Sequence, residues 1–190
     1  RGLGDVYKRQ LYTSGTTGRS KGAMLSHGNL LSNARVLNTH WGWRTPSEGA
    51  DVLLHALPIF HVHGLFVASH GALLSGSKML WFNRFEPRRV AERLSEATVF
   101  MGVPTLYTRL LAEPAFTRAS CAGMRLFISG SAPLLPETFT AFREHTGHTI
   151  LERYGMSETV MLTSNPYRPE DGPRVAGTVG PALPLSLIHI

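Results

Sequence analysis

The segment Thr13-Ser-Gly-Thr-Thr-Gly-Arg-Ser-Lys-Gly22 gathers hydroxyls, glycines and two cations in one short stretch. Glycines let a backbone approach a ligand closely. Successive N–H groups can then form an anion-binding nest. Thr16 and Thr17 can donate hydroxyl hydrogen bonds to phosphate oxygens, and Arg19 and Lys21 supply positive charge. The chemistry is that of a phosphate cradle. The spacing excludes a Walker A loop, in which lysine directly follows the last glycine, because two residues separate Gly18 from Lys21. A helix expected over roughly Ser26 to Trp41 would aim its N-terminal dipole at the loop. Composition alone equally fits a solvated surface turn.

Other chemistry-bearing residues are fewer. His61 and His63 stand two apart in Leu57-Pro-Ile-Phe-His-Val-His-Gly64, with no cysteine or carboxylate close by in sequence, so no metal pair is expected there. His55, on a buried strand, reads as a satisfied core histidine. Arg109 could grip a carboxylate through two parallel hydrogen bonds, although an arginine on an amphipathic helix is more often solvated. Ser129-Gly-Ser-Ala-Pro-Leu134 reads as a strand-to-helix turn, and Tyr154 as a strand-end aromatic. The single cysteine, Cys121, has no partner for an internal disulfide.

These residues need a scaffold, and the chain alternates short apolar runs with helical patterns. Strands are expected at Val52–Leu57, Lys78–Phe82, Thr98–Met101, Met124–Ile128 and Thr149–Arg153. Helices are expected at Gly64–Leu74, Pro87–Ala97, Pro104–Leu111 and Pro136–His145. That order implies an α/β fold, a mostly parallel sheet flanked by helices. Ligands of such sheets sit at the carboxyl ends of the strands. The composition, 43% hydrophobic and 17% charged, suits a packed core and excludes a disordered chain. The net charge of +6 is scattered rather than striped, which favours a small anionic ligand over nucleic acid. No apolar run reaches the ~20 residues of a membrane span, and no apolar signal core opens the chain. A cytoplasmic location is expected, with a mitochondrial matrix location left open. Arg1–Gln10 is polar and lacks the apolar strand that should feed the first loop. Residues 1–10 and 185–190 therefore read as non-native ends flanking a fragment, 11–184.

Tyr12-Thr-Ser-Gly-Thr-Thr-Gly-Arg-Ser-Lys-Gly22 closely resembles the phosphate-loop signature of the AMP-forming acyl-CoA synthetase superfamily. Far downstream, Glu152-Arg-Tyr-Gly-Met-Ser-Glu-Thr159 resembles its tyrosine-glycine-x-threonine-glutamate element, with Ser157 in place of the usual threonine. The resemblance implies the large N-terminal domain of an adenylate-forming enzyme, with the C-terminal lid domain absent. Thr13, Ser14, Gly15, Thr16, Thr17, Gly18 and Lys21 would cradle ATP phosphates. Glu158, with Thr16, would hold Mg²⁺, and Thr16, His61 and Glu158 would serve catalysis. Gly130, Tyr154, Gly155 and Ser157 would line the nucleotide pocket, and His61 would gate the acyl carboxylate. The wording of residues 55–68, 101–111, 125–135 and 151–166 is most similar to malonyl-CoA synthetases. In those enzymes the residues matching Arg109 and Ser131 engage the distal carboxylate. The substrates implied are malonate (methylmalonate as a second acid), ATP and CoA, with no nucleic-acid partner. The alternatives are a ligase or adenylation domain for another acid, or a nucleotide-binding fragment without catalysis. The family's ribose-binding aspartate and catalytic lysine would lie beyond Pro184, so the fragment alone is expected to be inactive.

Overall fold

The structure, a computed structural model, describes residues 8–13 and 21–186, the first six and Lys21 by backbone alone. Two antiparallel strands come first, β1 (Lys8–Thr13) and β2 (Lys21–Ser26), in register from Lys8 opposite Ser26 to Thr13 opposite Lys21. Helix α1 (His27–His40) follows. The main sheet then runs β3 (Val52–His55), β4 (Lys78–Trp81), β5 (Val99–Gly102), β6 (Leu126–Ser129), β7 (Ile150–Met156) and β8 (Val160–Ser164). Its spatial order is β4-β3-β5-β6-β7-β8, parallel except for the antiparallel pair β7–β8.

β5 and β6 are buried along their whole length, as continuous apolar strands covered on both faces must be. The crossovers carry α2 (His70–Ser75), α3 (Pro87–Arg93), α4 (Pro104–Leu111) and α5 (Pro136–Thr146). Proline opens α3, α4 and α5, where its missing N–H costs nothing. Gly147, at φ +81°, closes α5 in the left-handed conformation that a residue without Cβ adopts freely. Under the sheet Tyr107, Phe116, Phe127 and Phe142 pack together, with the Tyr107 and Phe142 rings edge to face at 5.4 Å. Tyr107 donates its phenolic hydrogen to the Ile128 carbonyl, so this burial leaves no polar atom stranded.

At the amino ends of the strands, Asp51 forms a buried ion pair with Arg125 and accepts from Thr98 Oγ1 and the Arg44 amide. These residues immediately precede β3, β5 and β6, so one polar knot fixes the strand starts. No helix among the described residues is long and apolar enough to cross a membrane.

The mostly parallel α/β expectation holds, with four differences. The segment before the loop does form a strand, β1, paired along its backbone with β2. The helix after the loop does not follow it directly. Six residues of β2 intervene, about 20 Å of strand, and the α1 N-terminus is closed by its own capping box between Ser26 and Asn29. Residues 14–20 of the loop lie outside the described residues, between these two antiparallel strands. The helix expected from Gly64 opens instead as a π-helical run, His63–Ser69, before α2. β7 runs past Arg153 to Met156 and turns back as β8, a strand the periodicity did not announce.

Candidate anion-binding site

β3 is followed in sequence by β4 on one side of it, whereas β5 lies on the other. The chain thus switches direction across the sheet between β3 and β5. The connections leaving those two strands diverge there and leave a crevice at their carboxyl ends. A cavity of about 550 Å³ occupies it, lined by Leu57–Pro58 and His61–Gly64 after β3, Val103 after β5, and Ser131 after β6. Arg153, Gly155–Ser157 and Met161 complete the lining.

Arg153 is the unusual member. It is 3% exposed, and its Nε and Nη2 have no hydrogen-bond partner among the described residues. Burial pushes its guanidinium down to about 10, against a small opposing effect of Tyr107. Two other arginines show what a structural burial looks like. Arg125 is paired with Asp51 and the Trp41 carbonyl. Arg174 donates to the carbonyls of Thr149, Pro166 and Tyr167. Buried charge is costly unless paired, so the unpaired donors of Arg153 mark a place for an anion. Gly130 accommodates this arginine: a Cβ there would overlap the guanidinium.

His63 lies beside it, 5% exposed. Burial, then the Arg153 and His55 charges, hold its imidazole well below the usual histidine value, so it is neutral near pH 7. Its Nδ1 shares a hydrogen bond of 3.3 Å with Ser131 Oγ, and its Nε2 has no partner among the described residues. Ser131 sits at φ +69°, a strained setting for a residue with a Cβ. Such strain persists where the surroundings hold it. His55, behind His63, contacts the Gly64 carbonyl and Ser69 Oγ through Nε2, a core histidine with a partner.

The residues singled out by sequence distribute as follows. His61, Ser131, Gly155 and Ser157 line the cavity together. His61 is exposed and packs on Phe60 at 4.5 Å between ring centroids. Tyr154 is 43% exposed on β7, beside the site. Gly155 marks a register shift where the Val160 carbonyl crosses close, so its lack of Cβ serves the β7–β8 pairing. Glu158 lies exposed in the turn between these strands. Arg109 does not line the cavity; its guanidinium lies 4.9 Å from the Phe85 ring centre on the outer face of α4. Thr13 ends β1 and Lys21 begins β2. Ser14, Gly15, Thr16, Thr17 and Gly18 lie outside the described residues. The sequence reasoning missed Arg153 and the role of His63. The available signal was a charged pair, Glu152-Arg153, inside an otherwise buried strand.

The mostly parallel sheet and the cavity at its switch point agree with the class of AMP-binding enzymes. The family profile of that description matches residues 10–190, and the chain belongs to this family. Among its relatives, the mitochondrial malonate–CoA ligase ACSF3 of Xenopus laevis is 40% identical over 190 residues, covering 92% of this chain and 32% of its own length. ATP-bound MatB of Rhodopseudomonas palustris is 56% identical at a TM-score of 0.87, covering 97% of this chain and 35% of that one. A malonyl-CoA ligase complex with methylmalonyl-CoA and AMP is 40% identical at a TM-score of 0.82, over 92% of this chain and 37% of that one. The chain thus spans about a third of these relatives.

Proposed function

We propose that this chain is the acid- and nucleotide-binding part of an ATP-dependent acid–CoA ligase that activates malonate, with methylmalonate as a second acid. The observation that carries the reading is Arg153 in the cavity wall, whose Nε and Nη2 have no partner among the described residues. A monocarboxylate spends its one carboxylate on the reaction and offers nothing to a buried cation. A dicarboxylate keeps a second carboxylate, which Arg153 can receive through paired hydrogen bonds. Ser131 Oγ and the neutral His63 supply hydrogen-bonding groups beside it. The relatives named as malonate ligases support the same acid.

In the first half-reaction the free carboxylate attacks the ATP α-phosphorus and displaces pyrophosphate. In the second, CoA thiol attacks the acyl carbon and displaces AMP. No protein nucleophile is needed, and this chain's share is positioning and charge neutralisation. The loop between β1 and β2 would hold the terminal phosphates, with Thr13, Thr16, Thr17 and Lys21 as donors. Tyr154 would stack on adenine beside Gly130 and Gly155, and Ser157 would face the phosphates. His61, at the cavity mouth, would gate the reacting carboxylate. Glu158 offers one exposed hard oxygen donor. That fits Mg²⁺, which takes one or two carboxylates and completes its shell with phosphate oxygens and water. Mg²⁺ bound there would neutralise charge on the phosphates. The other roles belong to the remainder of the ligase, so the 190-residue chain by itself should bind ligand without forming thioester.

The test is calorimetry of malonate, acetate and succinate with this chain, beside acid-dependent ATP–pyrophosphate exchange by a ligase that contains it. Malonate should bind and support exchange where acetate does neither. Equal treatment of malonate and acetate would sink the proposal.

A further inference from the structure

Glu152 precedes Arg153 on β7 and is 5% exposed. Its carboxylate forms no ion pair among the described residues; it accepts two backbone hydrogens. Oε2 accepts from the Leu134 amide at 3.3 Å, and Oε1 from the Gly177 amide at 3.1 Å. Leu134 lies three residues beyond Ser131, in the turn that presents the Ser131 hydroxyl to the cavity. Gly177 lies in a turn that Asn165 also braces, by accepting from the Val175 amide and donating to the Thr178 carbonyl. Asn165 in turn donates its amide to the Glu152 carbonyl at 2.9 Å.

A buried carboxylate without a cation is an expensive way to satisfy two amides, and burial holds this one above the ordinary glutamate range. A neutral side chain would pack there at less cost. What the carboxylate alone supplies is two acceptor oxygens at the end of one strand residue, serving two separate turns at once. Ser131 needs such a hold, because its φ of +69° is not one that its own side chain favours. We infer that Glu152 is a positioning residue: its carboxylate clamps the Ser131 turn, and the Gly177 turn with it, onto the strand that carries Arg153. Adjacent strand residues point to opposite faces. One dipeptide, Glu152-Arg153, therefore builds the site from both sides, the arginine receiving the anion and the glutamate holding the hydroxyl that meets it. This inference rests on the reading of the cavity as a carboxylate site.

The experiment uses the 190-residue chain, labelled with ¹⁵N, and the variant Glu152→Gln. In glutamine one acceptor oxygen becomes an NH₂ group, so only one amide is served. In the wild type, the Leu134 and Gly177 amides should exchange with solvent as slowly as amides of β6, although neither has a backbone partner. Exchange at unprotected loop rates would overturn the clamp, and this arm needs no variant to fold. In a folded Glu152→Gln chain the malonate dissociation constant should rise at least tenfold with ATP affinity unchanged. Malonate affinity equal to wild type, or equal losses for both ligands, would overturn the positioning role. If the wild type binds no malonate, the substrate reading fails instead, and amide protection still decides whether the clamp exists.

Discussion

Replacing Arg153 by methionine should make the unliganded protein more stable and blind to its acid. Burial pushes the Arg153 guanidinium well below the ordinary arginine value, down to about 10. A shift of that size corresponds to a cost on the order of 3 kcal/mol for carrying the charge in the folded state. The sign follows from the direction. A base whose folded pKa is depressed costs stability at every pH below about 10, and the cost is relieved only as pH rises from there towards the ordinary arginine value. At neutral pH the whole cost is present. Methionine keeps most of the apolar stem and removes the charge, which often stabilises when a buried ion lacks a partner. Some of the gain is lost to the space the guanidinium vacates. With roughly 2–4 °C per kcal/mol for a chain of this size, the melting temperature should rise by several degrees. Malonate should do the reverse in the two proteins. At 100 times its dissociation constant a ligand adds about 2.7 kcal/mol of stability; the wild type should show that upward shift and Arg153→Met should not. Thermal melts by circular dichroism, with and without malonate, read both quantities. A variant that melts several degrees below the wild type, or that keeps the malonate shift, would refute the assignment of Arg153 as a cation held ready for an anion.

Two further outcomes are expected. Arg109→Met should lower malonate affinity less than Arg153→Met does, since Arg109 stacks on Phe85 outside the cavity; calorimetry showing the larger loss at Arg109 would transfer the specificity role to it. Asp51→Asn should destabilise by about 3–5 kcal/mol, the usual result of stranding one half of a buried pair, measurable by urea denaturation. For Asp51, burial raises the carboxyl pKa, but hydrogen bonds from Arg125, the Arg44 amide and Thr98 outweigh it and leave the value lowered. The stability it confers is therefore present above the ordinary carboxyl range and lost as pH falls through its depressed folded value. Wild type should lose stability on acidification over that range, and Asp51→Asn should lose much less; parallel acid curves would contradict the role of this pair.

The parallel core was legible because its signals are local. Runs such as Leu126-Phe-Ile128 can only be strands buried on both faces, and prolines 87, 104 and 136 each announce a helix start. β1 was not legible, since what makes it a strand is its pairing with β2, and Lys8, Arg9, Gln10 and Thr13 give it little apolar pattern. β8 escaped for a related reason. The turn at 157–159 is Ser157-Glu158-Thr159 rather than the usual hairpin punctuation, and Val160 enters its strand at φ +61°. The site was legible in part. His61, Ser131, Gly155 and Ser157 do share one cavity. Arg109, the cation singled out from the sequence, lies by Phe85 outside that cavity, whereas Arg153 lines it; as letters the two look alike and differ only in what surrounds them.

The sequence by itself determined the family and the parallel α/β order, because each is written in the types and spacing of nearby residues. Only the tertiary structure decided which cation faces the cavity. It brought β3, β5, β6 and β7 side by side and left Arg153 buried without a partner. It also set Glu152 to hold the turn that carries Ser131. Burial and the lack of a partner are properties of a packed neighbourhood, assembled from segments far apart in the chain, and no local pattern records them.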